Sequence, residues 1–229
     1  MGSSFFMYII LWQSRILAAL KLTIVSQHEF SHALACVLTG GKVKSITISS
    51  NFGGVTTTQG GNRAVTLTAG YIGSTMFGCM YLLLATTNDN SNYAGGALYC
   101  LSCLISIWVL KAEKKDSFCS TTGLRLSILM LISIFVGLFF LQFYSVWGDK
   151  RWLCYGLIVV GVGNMLFALM ETVEDTCMSK ISDEERGKSD AVMLAEEVCG
   201  FARCWGLIWS CVCLGCIGVT IWGWLLLSI

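Results

Sequence analysis

Proline is absent from the 229 residues, so no helix in this chain is kinked or stopped by a pyrrolidine ring. Charge is scarce too. Asp, Glu, Lys and Arg supply 13% of the residues against 55% hydrophobic ones, and the mean hydropathy is +0.70. That leaves too little polar surface for a soluble globule of this size and points to a membrane protein with the lipid bilayer as its first partner. The net charge of +1 comes with no long basic block, which excludes nucleic acid as a partner. The first residues lack a basic stretch followed by a small-residue cleavage site, so no removable signal peptide is expected. Met1-Gly2-Ser3-Ser4 opens as a myristoylation signal does, but Phe6 stands where Ser or Thr is required. No internal repeat is visible.

Cysteine, by contrast, is plentiful at twelve. Cys79, Cys100, Cys103, Cys154, Cys204, Cys211, Cys213 and Cys216 all lie in or beside apolar runs, where a thiol behaves as a small hydrophobe. Cys213 and Cys216 form a CxxC, but inside the run SCVCLGCIGV they read as helix-packing residues.

A membrane crossing needs about 20 consecutive apolar residues. Residues 122–147, 152–170 and 204–229 meet that length, with 65–85 and 94–110 close behind. The nearly continuous apolar stretch over 5–38 would be about 50 Å long as one helix, too long for a single crossing. A break at Gln13-Ser14-Arg15 leaves a first membrane helix over about 16–38. Thr39-Gly40-Gly41 stops it. A β-hairpin follows over about 42–58, with Gly53-Gly54 as its turn, and a polar segment over about 174–203 precedes the last helix. The expectation is one integral membrane domain over 1–229, mainly α-helical, with about six transmembrane helices. The loop charges fit six crossings. Lys42, Lys44, Arg63, Lys111, Lys114, Lys115, Lys180, Arg186, Lys188 and Arg203 fall on one side and Lys150 and Arg151 on the other, so both termini should face away from the positive side.

The chain has two histidines, and both belong to His28-Glu29-Phe30-Ser31-His32. Four residues apart on a helix, His28 and His32 project from one face a turn apart, as two imidazoles sharing a tetrahedral Zn²⁺ must. Glu29 is placed to take a proton from water and deliver it to a leaving amine. HExxH strings do arise by chance. Inside an apolar helix, however, a glutamate between two imidazoles is expensive to bury, which makes the cluster a functional site by default. A catalytic zinc also needs a third protein ligand. With no other histidine, carboxylates are the candidates. Glu171, Glu174 and Asp175 share a face at the end of an apolar helix, and Glu171 lies deepest. Ser189-Asp190-Ala191 reads as the N-cap of a helix starting near Ala191.

The run Gln27-His28-Glu29-Phe30-Ser31-His32-Ala33-Leu34-Ala35, followed by Leu38-Thr39-Gly40-Gly41-Lys42-Val43 and Gly53-Gly54-Val55-Thr56, resembles the M50B-like peptidases, relatives of the site-2 proteases. Ala69-Gly70-Tyr71-Ile72-Gly73, the stretch from Asn164 to Thr176, and Ser189-Asp190-Ala191 look similar as well. The resemblance runs from about residue 22 to 200. It implies a site-2-protease-like core holding Zn²⁺, with an acidic third ligand on a later helix near an asparagine. Glu171 takes that position and Asp175 is the alternative. By the same analogy, Gly53 and Gly54 would line a substrate path beside the hairpin, where an exposed strand edge can take up an extended peptide.

The expected function is therefore an intramembrane zinc metalloprotease acting on membrane protein substrates. The competing reading is a silent subunit that keeps the fold as a scaffold for partner subunits. A small transporter ranks last, because the intramembrane charges gather at one motif.

Overall fold

The computed structural model describes residues 17–48, 53–85, 89–111, 132–134, 136–137, 152–178 and 189–227. In chain order these form α1 (Ala18–Leu38), β1 (Lys42–Ile48), β2 (Gly54–Gln59), α2 (Arg63–Ala85), α3 (Asp89–Lys111), α4 (Trp152–Met178), α5 (Asp190–Val198) and α6 (Ala202–Leu227).

Helix α1 stops where the sequence supplies glycine. Gly40 takes φ +85, a conformation open to a residue without Cβ, and the Gly41 N–H then donates to the Cys36 carbonyl at 2.8 Å. The chain turns into an antiparallel two-stranded sheet, with Ile46 opposite Thr56 and Ile48 opposite Gly54, and a register shift between Val43 and Ser45. Gly54 is thus the first residue of β2, not part of the turn the sequence suggested. Ile46 and Ile48 bury one face of β1 in a cluster with Leu22, Ile24, Val25 and Ala33 of α1, Ile105 of α3 and Phe167 of α4. The hairpin is thereby fixed along α1.

Helices α2 and α4 cross through small residues. A Cβ on Gly78 would come within 2.6 Å of Met165 Cγ and 3.0 Å of the Gly161 carbonyl, while one on Gly161 would meet Tyr81 Cβ at 3.0 Å. Close backbone approach of this kind is how helices associate where water supplies no drive. Gly78→Leu should therefore destabilise the protein by about 1–3 kcal/mol through overpacking. Gly218→Leu, at a glycine with nothing within 4 Å, should change little. Thermal unfolding in detergent followed by tryptophan fluorescence reads the difference, and equal midpoints would contradict the close crossing.

Three helices among the described residues are long and apolar enough to cross a membrane: Arg63–Ala85, Trp152–Thr176 and Ala202–Gly223. Ala94–Trp108 is a shorter apolar helix. Helix α1 is not among the three, because it carries buried Lys21, Gln27, His28, Glu29 and His32. The expected run over 122–147 lies outside the described residues apart from short helical pieces at 132–134 and 136–137, as do many of the counted loop charges. Six crossings are therefore not reproduced. Within the expected polar segment over 174–203, α4 continues to Met178, and α5 is the helix expected from near Ala191.

Candidate metal centre

The site is built from α1 outward. His28, Glu29 and His32 are 4%, 3% and 5% exposed, so each polar atom needs a partner within the protein. The Nε2 atoms of His28 and His32 converge to 3.0 Å. His32 Nδ1 lies 2.7 Å from the Thr66 carbonyl oxygen. A carbonyl only accepts, so Nδ1 carries the proton and Nε2 is left to act as a ligand in the neutral ring. His28 Nδ1 contacts Ser74 Oγ at 3.2 Å. Each imidazole is thus oriented from behind by a group on α2, the arrangement that fixes tautomer and ring plane in metal sites.

Helix α2 has the spacing this task requires. Thr66, Gly70 and Ser74 recur every four residues and so share one face. Gly70 lies where a Cβ would strike His32 Nε2 and come within 2.5 Å of His28 Nε2. Its missing side chain is what lets α2 approach the two nitrogens.

Glu29 faces the hairpin. The Thr56 hydroxyl donates to Glu29 Oε2 at 2.5 Å, and Glu29 Oε1 packs against Gly54 at a position where a Cβ would collide with it. Ligand atoms of His28, Glu29 and His32 all lie within 4.8 Å of one another, and the group could hold a metal ion.

Two acids from later elements approach the histidines. Asp190 Oδ2 is 3.0 Å from His32 Nε2 and 3.7 Å from His28 Nε2, while Glu171 Oε2 is 3.9 Å from His28 Nε2. Asp175 Oδ2 instead accepts a 2.6 Å hydrogen bond from the Tyr71 hydroxyl. Ser189 caps α5, accepting from the Val192 N–H at 3.4 Å, and so leaves the next residue, Asp190, to turn inward. Burial alone would raise the Asp190 carboxyl. When His32 is protonated, its charge and hydrogen bonds from the imidazoles outweigh that and hold Asp190 well below the usual carboxylate range. Ala191 and Leu194 anchor α5 against Leu67 and Tyr71 of α2 and Trp209 of α6.

Of the residues singled out from sequence, His28, Glu29, His32 and Glu171 are brought together. Asp175 is one helical turn further along α4, and Gly54 packs on Glu29. Asp190, Gly70, Thr66, Ser74 and Thr56 were not anticipated. The four-residue spacing of small residues in α2 was the available signal for three of them.

Beside the centre, an apolar groove of about 630 Å³ passes between α1 and α2, lined by Phe30, Ser31, Leu34, Met76, Leu194 and Trp205 among others.

The donor chemistry fits zinc. Two ligands bonded tetrahedrally at ~2.0–2.1 Å stand roughly 3.3 Å apart. His28 Nε2, His32 Nε2 and Asp190 Oδ2 form a triangle with edges of 3.0, 3.0 and 3.7 Å. No curated protein and no solved structure matches the chain. The sequence model of the family described as Peptidase M50B-like matches residues 3–220, and with nearly the whole chain covered by that match, the protein belongs to the M50B-like peptidase family.

Proposed function

We propose that this protein is a multi-pass intramembrane zinc metalloprotease that hydrolyses peptide bonds of membrane-embedded protein segments. The observation that carries the reading is the triangle of two buried imidazole nitrogens and a carboxylate oxygen with the Glu29 carboxylate beside it. His28, His32 and Asp190 would hold the ion. Glu171 is the alternative carboxylate, supported by its 3.9 Å approach to His28. Asp175, already accepting from Tyr71, is the least favoured of the three acids. Bound zinc supplies Lewis acidity toward a carbonyl oxygen and brings the pKa of water to ~7.

The chain's own residues do the rest. Thr56 holds one oxygen of Glu29, which restricts the rotamer of the base. Glu29 takes a proton from the attacking water and returns it to the leaving amine as the peptide bond breaks. A helical substrate hides its carbonyls in its own hydrogen bonds, so the scissile segment must be extended. The start of β2 at Gly54, beside Glu29 and directly after Gly53, suits such a segment. The apolar lining of the α1/α2 groove supports a membrane-embedded substrate.

The test is metal content together with cleavage of a transmembrane reporter by the purified protein. One zinc per chain is expected. His28→Ala and Asp190→Ala should each weaken zinc binding by more than the 10- to 100-fold seen when an outer partner of a ligand is removed, whereas Glu171→Gln should retain the metal. The reverse pattern for the two acids would make Glu171 the third ligand. Zinc-free wild-type protein would favour the scaffolding reading.

A further inference from the structure

We propose that Asp175 is a positioning residue that holds Tyr71 against the start of α5, and thereby sets Asp190 against the two histidines. The inference rests on the metal-centre reading above and extends it to residues that touch neither histidine nitrogen.

The geometry is that of a three-element joint. Asp175 is 6% exposed and Tyr71 is 2% exposed, so a carboxylate and a phenol are taken out of solvent together. The Tyr71 hydroxyl donates to Asp175 Oδ2 at 2.6 Å, and Tyr71 packs in one cluster with Ala191 and Leu194 of α5. One acid on α4 therefore fixes the α2 residue on which α5 rests. The first residue of α5 is Asp190, whose Oδ2 is 3.0 Å from His32 Nε2. Tyr71 is itself held from both sides, its ring 4.4 Å from Trp209 and 5.5 Å from His28 between centroids. Helix α5 has nine residues and buries only Ala191 and Leu194. A helix that short is marginal without tertiary support. Its placement rests on that support, and Asp175 holds the Tyr71 side chain that provides part of it.

This assignment separates Asp175 from a ligand role. An acid already accepting from a buried phenol has a task of its own, and its loss should act through the position of Asp190.

The experiment uses the full chain in detergent with Co²⁺ as the probe. Asp175→Ala should weaken Co²⁺ binding about 10- to 100-fold, the range for removing a group behind a ligand, while the stoichiometry and the shape of the visible cobalt bands stay as in the wild type. Amide hydrogen exchange over 190–198 should accelerate in the metal-free protein, with exchange in α1 unchanged. Tyr71→Phe, which removes one hydroxyl, should shift both readouts the same way by less. Combined with Asp175→Ala it should add almost nothing. Cobalt bands in Asp175→Ala that change as they do in Asp190→Ala would overturn the proposal by making Asp175 a ligand. So would unaltered exchange of α5 alongside wild-type Co²⁺ affinity. A wild-type chain with no His28-dependent Co²⁺ uptake would instead overturn the metal-centre reading, and the relay with it. Exchange that ignores Asp175→Ala while uptake is intact overturns the relay alone.

Discussion

Glu29→Gln protein is expected to keep its metal at wild-type stoichiometry and to cleave a transmembrane reporter about a thousandfold more slowly, within the 10²–10⁴ range that a general base contributes. The two halves of the prediction have separate physical origins. Metal retention follows because the converging atoms proposed as ligands belong to His28, His32 and Asp190, and their positions are set from α2 and α5, not by Glu29. The loss of cleavage follows because an amide has no basic oxygen able to accept a proton from water at neutral pH. Glutamine is nearly isosteric, so Thr56 can still donate to the side-chain oxygen and Gly54 still has room for it. Atomic absorption on purified protein and the rate of reporter cleavage are the measurements. Metal lost with activity would assign Glu29 to the ligand set, and full cleavage by Glu29→Gln would remove it as the base. Thr56→Val, which deletes only the hydroxyl behind Glu29, should lower the cleavage rate by a smaller factor and leave metal content untouched.

What could be read from the chain alone depended on whether the signal was local. The α1 helix, its glycine stop and the two strands were legible because apolar patterning and turn residues act over a few positions. The pairing of His28 with His32 was legible because it needs only helical periodicity. The third acid was not. Glu171 and Asp190 lie on different helices, separated in part by residues outside the described structure, and only the packing of Ala191 and Leu194 on α2 and α6 turns α5 so that Asp190 meets His32. The Ser-Asp pair was read as a helix cap. That reading holds for Ser189, but it absorbed its neighbour as well. The expected six crossings are not reproduced among the described residues for a related reason. Helix α1 is long enough for a membrane, but the polar residues it carries lower its hydropathy, so length and composition identify three spans among the described residues.

Gly70→Ala is the substitution expected to act most strongly for its size. One methyl group is added, and on an exposed helix it would be favourable, since alanine is the better helix former by ~1 kcal/mol. Here the ideal Cβ falls on the ligand atoms themselves, against His32 Nε2 and 2.5 Å from both His28 Nε2 and His32 Cε1. Side-chain ends usually swing aside from such a clash. These two rings cannot do so freely, because His32 Nδ1 is tied to the Thr66 carbonyl at 2.7 Å and His28 Nδ1 contacts Ser74 at 3.2 Å, both on the same helix as the new methyl. Relief must come from breaking those contacts or from pushing α2 away from α1, and either course spreads the 3.0 Å convergence of the nitrogens. Zinc affinity should fall about a hundredfold or more, beyond the 10- to 100-fold of losing a single outer contact, and cleavage should fall with it. Gly218→Ala, where nothing lies within 4 Å, serves as the control and should behave as wild type in both assays. Circular dichroism distinguishes a damaged site from a damaged fold: helix content in Gly70→Ala should match the wild type. A Gly70→Ala protein that binds zinc normally would mean that the two nitrogens do not converge beneath this helix, and the centre would have to be sought elsewhere.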